Sequence, residues 1–428
     1  MKTAKQITED KRGFRLHVLP TNKYKTVSIV VKWKAPLEKE TITKRSLLPS
    51  IMQKATERYP TSRQLQGALE DLYGTALSAD AAKKGENHVL SFRMEVVNDR
   101  YLKEEGSILE KAVRILSEVL YQPEREGEGF SSSIFEREKE TLTQRIHSVK
   151  DDKMSYANIR LMDHMCEGEA YGVHAQGHLE ELEPLTNEQL FSYYKKMIQE
   201  DEMDVYVTGD VSKESIEPLF DEFFSRDADL SSHHRTQATD KQVDGSREII
   251  EREEMSQGKL HIGFRTHTFF GEDDYYPLQV FNGIFGGFPS SKLFMNVREK
   301  HSLAYYAASR FESHKGLLFV FSGIDPNDYR QAKTIILDQK KAIENGEFSE
   351  EEVEESKQQI IHQLKETMEH PYGLIEILYH QQLSGKEIDA DELFRRLEQV
   401  TSSDVIRLAK KIELDTIYFL TSTEKGDS

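Results

Sequence analysis

Hydrophobic and polar positions follow two periods along this chain. From Thr26 to Lys34, Val27, Ile29, Val31 and Trp33 fall at every second position, the pattern of a strand with one buried face. Lys259–Arg265, Val89–Val97 and Gly316–Gly323 read as further strands. Elsewhere the period is helical. In Ile134–Val149, Phe135, Leu142 and Ile146 stand at i, i+7 and i+11, and Val353, Ile360 and Leu364 repeat that spacing in Val353–Met368. Both segments follow capping starts, Ser131-Ser132-Ser133 and Ser349-Glu350-Glu351.

The repetition extends further. Thr186–Met197 places Leu190, Tyr193, Tyr194, Lys195, Lys196 and Met197 where Thr401–Ile412 places Val405, Leu408, Ala409, Lys410, Lys411 and Ile412. Each helix then leads into a β-rich end, Asp204–Val207 and Thr416–Leu420. The same elements in the same order indicate an internal duplication. Arg226 to Arg247 is polar and nearly devoid of large apolar residues, including Ser231–Gln237, so it reads as a linker. The expected division is therefore 1–225, a linker at 226–247, and 248–428. Strands and helices come in blocks without strict βαβ alternation. This predicts α+β halves, each a largely antiparallel sheet covered on one face by helices.

Composition narrows the function classes. The chain has 428 residues with 31% charged, and no apolar run reaches the roughly 20 residues that a spanning helix needs. The N-terminus lacks an apolar signal-peptide core, and the single cysteine, Cys166, rules out an intramolecular disulfide. A cytoplasmic location is expected. The net charge of -18 would repel nucleic-acid phosphates. No phosphate-binding G-x-x-x-x-G-K-[ST] loop, dinucleotide fingerprint or G-x-S-x-G elbow is present. Neither nucleic acid nor membrane is an expected partner.

The densest chemistry lies in Phe281–Tyr306. A Gly-Gly turn, Gly286-Gly287, precedes an expected short amphipathic helix carrying Leu293, Phe294 and Val297. Arg298 falls near the end of that helix and Tyr305 on the next strand. A guanidinium and a phenol together can polarise a peptide carbonyl as negative charge develops on it. On spacing alone, a surface ion pair beside a half-buried tyrosine is the commoner arrangement.

The run resembles the C-terminal-half signature of pitrilysin/insulinase-type metallopeptidases, the family that includes mitochondrial processing peptidase. Their pattern, G-G-x-x-S-[SR]-L-F-x-x-[LV]-R-E-x-x-[GS]-L-x-Y, is matched almost throughout. The resemblance spans essentially the whole chain and implies two homologous α+β halves facing each other across a cleft. It also implies that Arg298 and Tyr305 grip the substrate carbonyl. Active members carry H-x-x-E-H on a helix, two His binding zinc and the Glu serving as general base. None of the 15 histidines here stands in that arrangement.

Ile51-Met52-Gln53-Lys54-Ala55-Thr56 resembles the residues that follow the family motif, M-L-F-K-G-T. The resemblance thus sets the ligand positions at Ser46 and Ser50 and the base position at Pro49. Phe135–Ile146 resembles F-E-K-E-R-x-V-V-x-x-E-I, so the distal ligand falls on Arg145 while the upstream acid, Glu138, is retained. A serine is a poor zinc ligand, a proline offers no side-chain base and an arginine is a fixed cation.

Two other metal-like groupings fare no better. His164, Cys166, His174 and His178, with Glu180 and Glu181, match no zinc spacing, and Gly172 and Gly177 put two of those histidines in a loop. His362, Glu366 and His370 form a stripe on a helix face of the solvated kind. The resemblance then implies a chain that binds no cofactor itself and acts as the zinc-free subunit of a dimer. A homologous partner would hold zinc, and peptides would be the substrate. The strand near Ala76-Leu77-Ser78-Ala79, with Ala79 as the contact, resembles the family's substrate strand, an edge with which an extended peptide can pair. The alternatives are a non-catalytic peptide-binding or scaffold protein of peptidase fold, and a self-sufficient zinc peptidase with a relocated site.

Overall fold

The computed structural model describes residues 6–102, 107–228 and 239–423, so the Ser231–Gln237 part of the expected linker lies outside the described residues. The chain divides into two compact units. The first comprises Lys2–Ser148 and Val173–Thr236, the second Val149–Gly172 and Gln237–Ser428.

In the first unit the strands are β1 (Ile7–Lys11), β2 (Phe14–Pro20), β3 (Thr26–Pro36), β4 (Ala76–Lys84), β5 (Asn87–Val97) and β8 (Glu202–Gly209). A small separate hairpin is made by β6 (Arg125–Glu126) and β7 (Gly129–Phe130). The sheet runs β1-β2-β8-β3-β5-β4. As the alternation predicts, Val27, Ile29, Val31 and Trp33 point into one core. They meet Leu47 and Leu48 of the Lys39–Met52 helix and Leu116 of the Ile108–Tyr121 helix there.

The second unit repeats this plan with β9 (Arg247–Glu253), β10 (Gly258–Arg265), β11 (Ala304–Glu312), β12 (Leu317–Ile324) and β13 (Glu413–Ser422), in the order β11-β12-β10-β13-β9. The central strand β3 is antiparallel to β5 and β8, and β10 is antiparallel to β12 and β13. Each sheet has one parallel pair, β2 with β8 and β13 with β9. The sheets thus match strand for strand, apart from β1. Helix positions match too. Phe135 and Leu142 are buried and Ile146 half-buried, as are Val353 and Ile360 with Leu364. The expected α+β architecture, sheets with packed helices, is the one observed.

One stretch departs from the division expected at residue 225. Val149–Gly172 is part of the second unit. Its helix, Lys153–Met165, begins where Asp152 accepts from the backbone N–H of Met154 (3.1 Å) and Ser155 (3.3 Å). Ala157, Leu161 and Met165 share a core with Leu317, Phe319, Tyr418 and Leu420. Approach is close because β10 carries Gly263, where a Cβ would lie 2.4 Å from the Met165 sulfur.

Polar contacts fix both ends of this segment. Glu251 accepts from the hydroxyls of Tyr156 (2.6 Å) and Tyr418 (2.8 Å) and from Arg160 Nε (3.0 Å). Beyond the helix, buried Arg265 pairs with Glu169 at 2.6 Å and Asp415 at 2.8 Å, and Lys315 reaches Glu169 at 2.8 Å.

Candidate functional site

Of the positions where the resemblance expects zinc ligands, Ser46 is committed to other bonds. Ser46 lies in the Lys39–Met52 helix and its hydroxyl lies 2.8 Å from the carbonyl oxygens of both Ile42 and Ala175. Ala175 belongs to the 173–178 loop, which also packs on the helix: Thr43 accepts from the His178 N–H at 3.0 Å and donates to Glu181 at 2.7 Å. Pro49 is buried inside the helix and Ser50 is half-buried on it. Arg145 is exposed near the end of the Ser132–Ser148 helix. The retained Glu138 is neutralised by Arg137 (3.1 Å) and Lys54 (3.7 Å).

Beside Ser46 in the helix stands a buried cation, Arg45. The Arg45 guanidinium is fully buried, pairs with Asp201, and donates to the carbonyls of Trp33 and His88, each at 3.2 Å. Its Nε donates to His88 Nδ1 at 3.3 Å. Burial first, and then this guanidinium, push the His88 imidazole down to about 3, so His88 is neutral. An isolated arginine in a helix pattern signals none of this. A hydroxyl bound to carbonyls, a proline and fixed cations do not fit a zinc site. Among the described residues no group of three or more His, Cys, Asp or Glu side chains is arranged to hold a metal. His174 and His178 stack at 5.0 Å in their loop, and His362 and Glu366 are exposed.

The other half of the expected chemistry is displayed. Gly283–Gly287 is a π-helical turn, where the sequence suggested a plain Gly-Gly turn, and a second π-helical stretch, Phe294–Lys300, carries Arg298 in its last turn. Such widened turns recur at functional sites. Val297 anchors the stretch in the core. The Arg298 guanidinium lies 4.7 Å from the centroid of the Phe294 ring, and its Nε is 3.6 Å from Glu299. The chain then reverses through Ser302, a non-glycine residue at φ +51°. There the Ser302 N–H donates to the Arg298 carbonyl and the Leu303 N–H to the Val297 carbonyl, both at 3.0 Å.

Tyr305 follows at the start of β11, the last strand on its side of the sheet. Ala304 pairs with Ile324 and Tyr306 with Gly323, which leaves Tyr305 as the extra residue of a β-bulge. Its side chain is 74% exposed. The first unit offers the counterpart: β4, the strand with Ala79, is the edge strand beside β5, where Ala79 faces Phe92 in register. Ala76, Ser78 and Asp80 are exposed along it.

A family model described as "Peptidase M16 inactive domain" matches residues 184–360. The chain is 44% identical to "Probable inactive metalloprotease YmfF" of Bacillus subtilis (strain 168), over 96% of each chain. This chain belongs to the M16 peptidase family. It is also 24% identical to "Uncharacterized zinc protease YmxG" of the same organism, over 66% of this chain and 69% of that one. A crystal structure of a conserved protein from Enterococcus faecalis V583 superposes with a TM-score of 0.93 at 34% identity. It covers 99% of this chain and 100% of that chain. Among the described residues no helix is long and apolar enough to cross a membrane.

Proposed function

We propose that this chain is the zinc-free subunit of a two-chain peptidase. Arg298 and Tyr305 supply the carbonyl-gripping pair, and a homologous partner supplies zinc, water and base. The observation that carries this reading is Tyr305. A bulge sets it off from the ladder of β11, three-quarters exposed, with no hydrogen bond among the described residues. A phenol kept for packing would be buried. A phenol displayed beside an arginine-bearing turn is available to a substrate oxygen. In such a site the peptide lies extended along an edge strand, its backbone pairing with open N–H and C=O groups. The phenol and guanidinium donate to the carbonyl oxygen as it gains charge, and each such donor contributes about 100- to 1000-fold to turnover. The test is peptide cleavage by this chain mixed with a zinc-bearing M16 partner, comparing wild type with Arg298→Ala.

A second reading has its own support. A relative of nearly full length carries the words "probable inactive" in its name, and Ser46, where the resemblance expects a ligand, is bonded to the carbonyls of Ile42 and Ala175. On this reading the fold binds peptides without cleaving them, and no partner is required. Unchanged partner turnover on adding this chain, together with tight peptide binding by the chain alone, would favour it.

A further inference from the structure

One residue row in the second unit has chemistry that the gripping pair does not use. Lys259 of β10 and Tyr306 of β11 each pair in register with Gly323 of β12, the strand between them. All three therefore share one face of the sheet, and the middle position has no side chain. Into that notch leans the Tyr306 ring: a Cβ on Gly323 would lie 2.6 Å from its Cε1 and 3.0 Å from Gln257 Oε1. The Lys259 ammonium stands 5.6 Å from the centroid of the Tyr306 ring and donates to Gln257.

Both polar groups lack an ionic or hydrogen-bonding match of the expected kind. Lys259 makes no ion pair among the described residues. Asp152 is the acid whose charge it feels, and that carboxylate is occupied at the start of its helix with Met154, Ser155 and the Ser155 hydroxyl. The Tyr306 hydroxyl is buried with no hydrogen-bond partner. Burial moves the Lys259 ammonium below its ordinary value and the Tyr306 phenol up to about 12, so each gains by meeting an anion or acceptor. Tyr305 immediately precedes Tyr306 in the chain.

We propose that Lys259 and Tyr306 form a carboxylate-binding subsite beside the gripping pair, which takes an acidic side chain or a free C-terminus of the bound peptide. The ammonium supplies charge and the phenol a directional donor, while the missing side chain at Gly323 gives the Tyr306 ring room to lean toward Lys259. This rests on the reading of Arg298 and Tyr305 as peptide-gripping residues. It adds that the gripped peptide carries a carboxylate within a residue or two of the held carbonyl.

The experiment is fluorescence anisotropy with fluorescein-labelled heptapeptides, using the full chain alone and mixed with a zinc-bearing partner. One pair of peptides differs as central glutamate against glutamine, a second as C-terminal acid against amide. The expected result is at least tenfold tighter binding of one carboxylate form. That preference is lost in Lys259→Met and weakened in Tyr306→Phe but kept in Lys259→Arg, while the uncharged peptides bind all variants alike. Arg298→Ala instead weakens every peptide equally. A wild-type chain that binds all four peptides without preference overturns the subsite and leaves the gripping pair standing. A preference that survives Lys259→Met does the same, as does an equal loss for charged and uncharged peptides in that variant. Binding of no peptide by chain or mixture overturns the gripping reading and the subsite with it.

Discussion

The Ser46 hydroxyl lies 2.8 Å from the carbonyl oxygen of Ala175, so the helix position where a metal ligand is expected is bonded to the 173–178 loop. A carbonyl oxygen carries partial negative charge and takes a hydrogen from a donor. Ser46→Ala removes that donor and leaves the oxygen without this partner. The expected cost is about 1 kcal/mol in denaturant unfolding, with no change in bound zinc measured by atomic absorption. A zinc content that falls with the substitution would show that Ser46 is a ligand after all.

Ser302 sits at φ +51°, between Arg298 and Tyr305. A side chain in that region costs roughly 1 kcal/mol, partly offset by the greater freedom glycine has in the unfolded chain. Ser302→Gly is expected to leave stability equal or raise it by up to about 1 kcal/mol. Ser302→Val, β-branched in the same conformation, is expected to lower it. Urea midpoints of the two variants decide this, and a destabilised glycine variant would contradict it.

The contact between β10 and the Lys153–Met165 helix depends on Gly263 having no side chain. Gly263→Val places carbon where the Met165 sulfur lies and is expected to cost about 1–3 kcal/mol by overpacking. Limited proteolysis should then cut within 149–172 faster than in wild type. Equal cutting rates would mean that the helix is held by its polar ends alone.

Those ends respond to acid. Burial alone would raise the Glu169 carboxyl, but hydrogen bonds and charge from Arg265 and Lys315 outweigh it and hold the value at about 2, below the ordinary 4.5. The unfolded chain therefore binds the proton more readily. The stability that Glu169 contributes is complete above about 4.5 and is lost as pH falls toward about 2. Wild type should lose stability through that window. Glu169→Gln should be weaker at neutral pH and show a shallower slope, measured by unfolding from pH 6 to pH 2.5.

Much of this was legible in the chain itself. Periodicity fixes which helix face is buried, so Phe135 with Leu142 and Val353 with Ile360 could be matched before any coordinates. Motif spacing likewise put Arg298 at a helix end and Tyr305 on a strand, as found. The membership of 149–172 was hidden. An amphipathic helix declares that it needs an apolar surface but not which one, and the complement to Leu161 and Met165 lies on Leu317, Phe319 and Tyr418, more than 150 residues away. The bulge was hidden for a related reason. It is a property of the register between β11 and β12, and a Tyr-Tyr doublet at a strand start looks the same with or without it. Arg45 was missed because its partners, Asp201 and His88, are distant in sequence.

The most direct test is peptide turnover by a one-to-one mixture of this chain with a zinc-bearing M16 partner. The mixture should cleave peptides that this chain alone leaves intact. Arg298→Ala and Tyr305→Phe should each lower its kcat by about 100-fold or more, with the mixed complex still eluting as one species on size exclusion. Full turnover with either substituted chain in an intact complex would contradict the assignment of these residues.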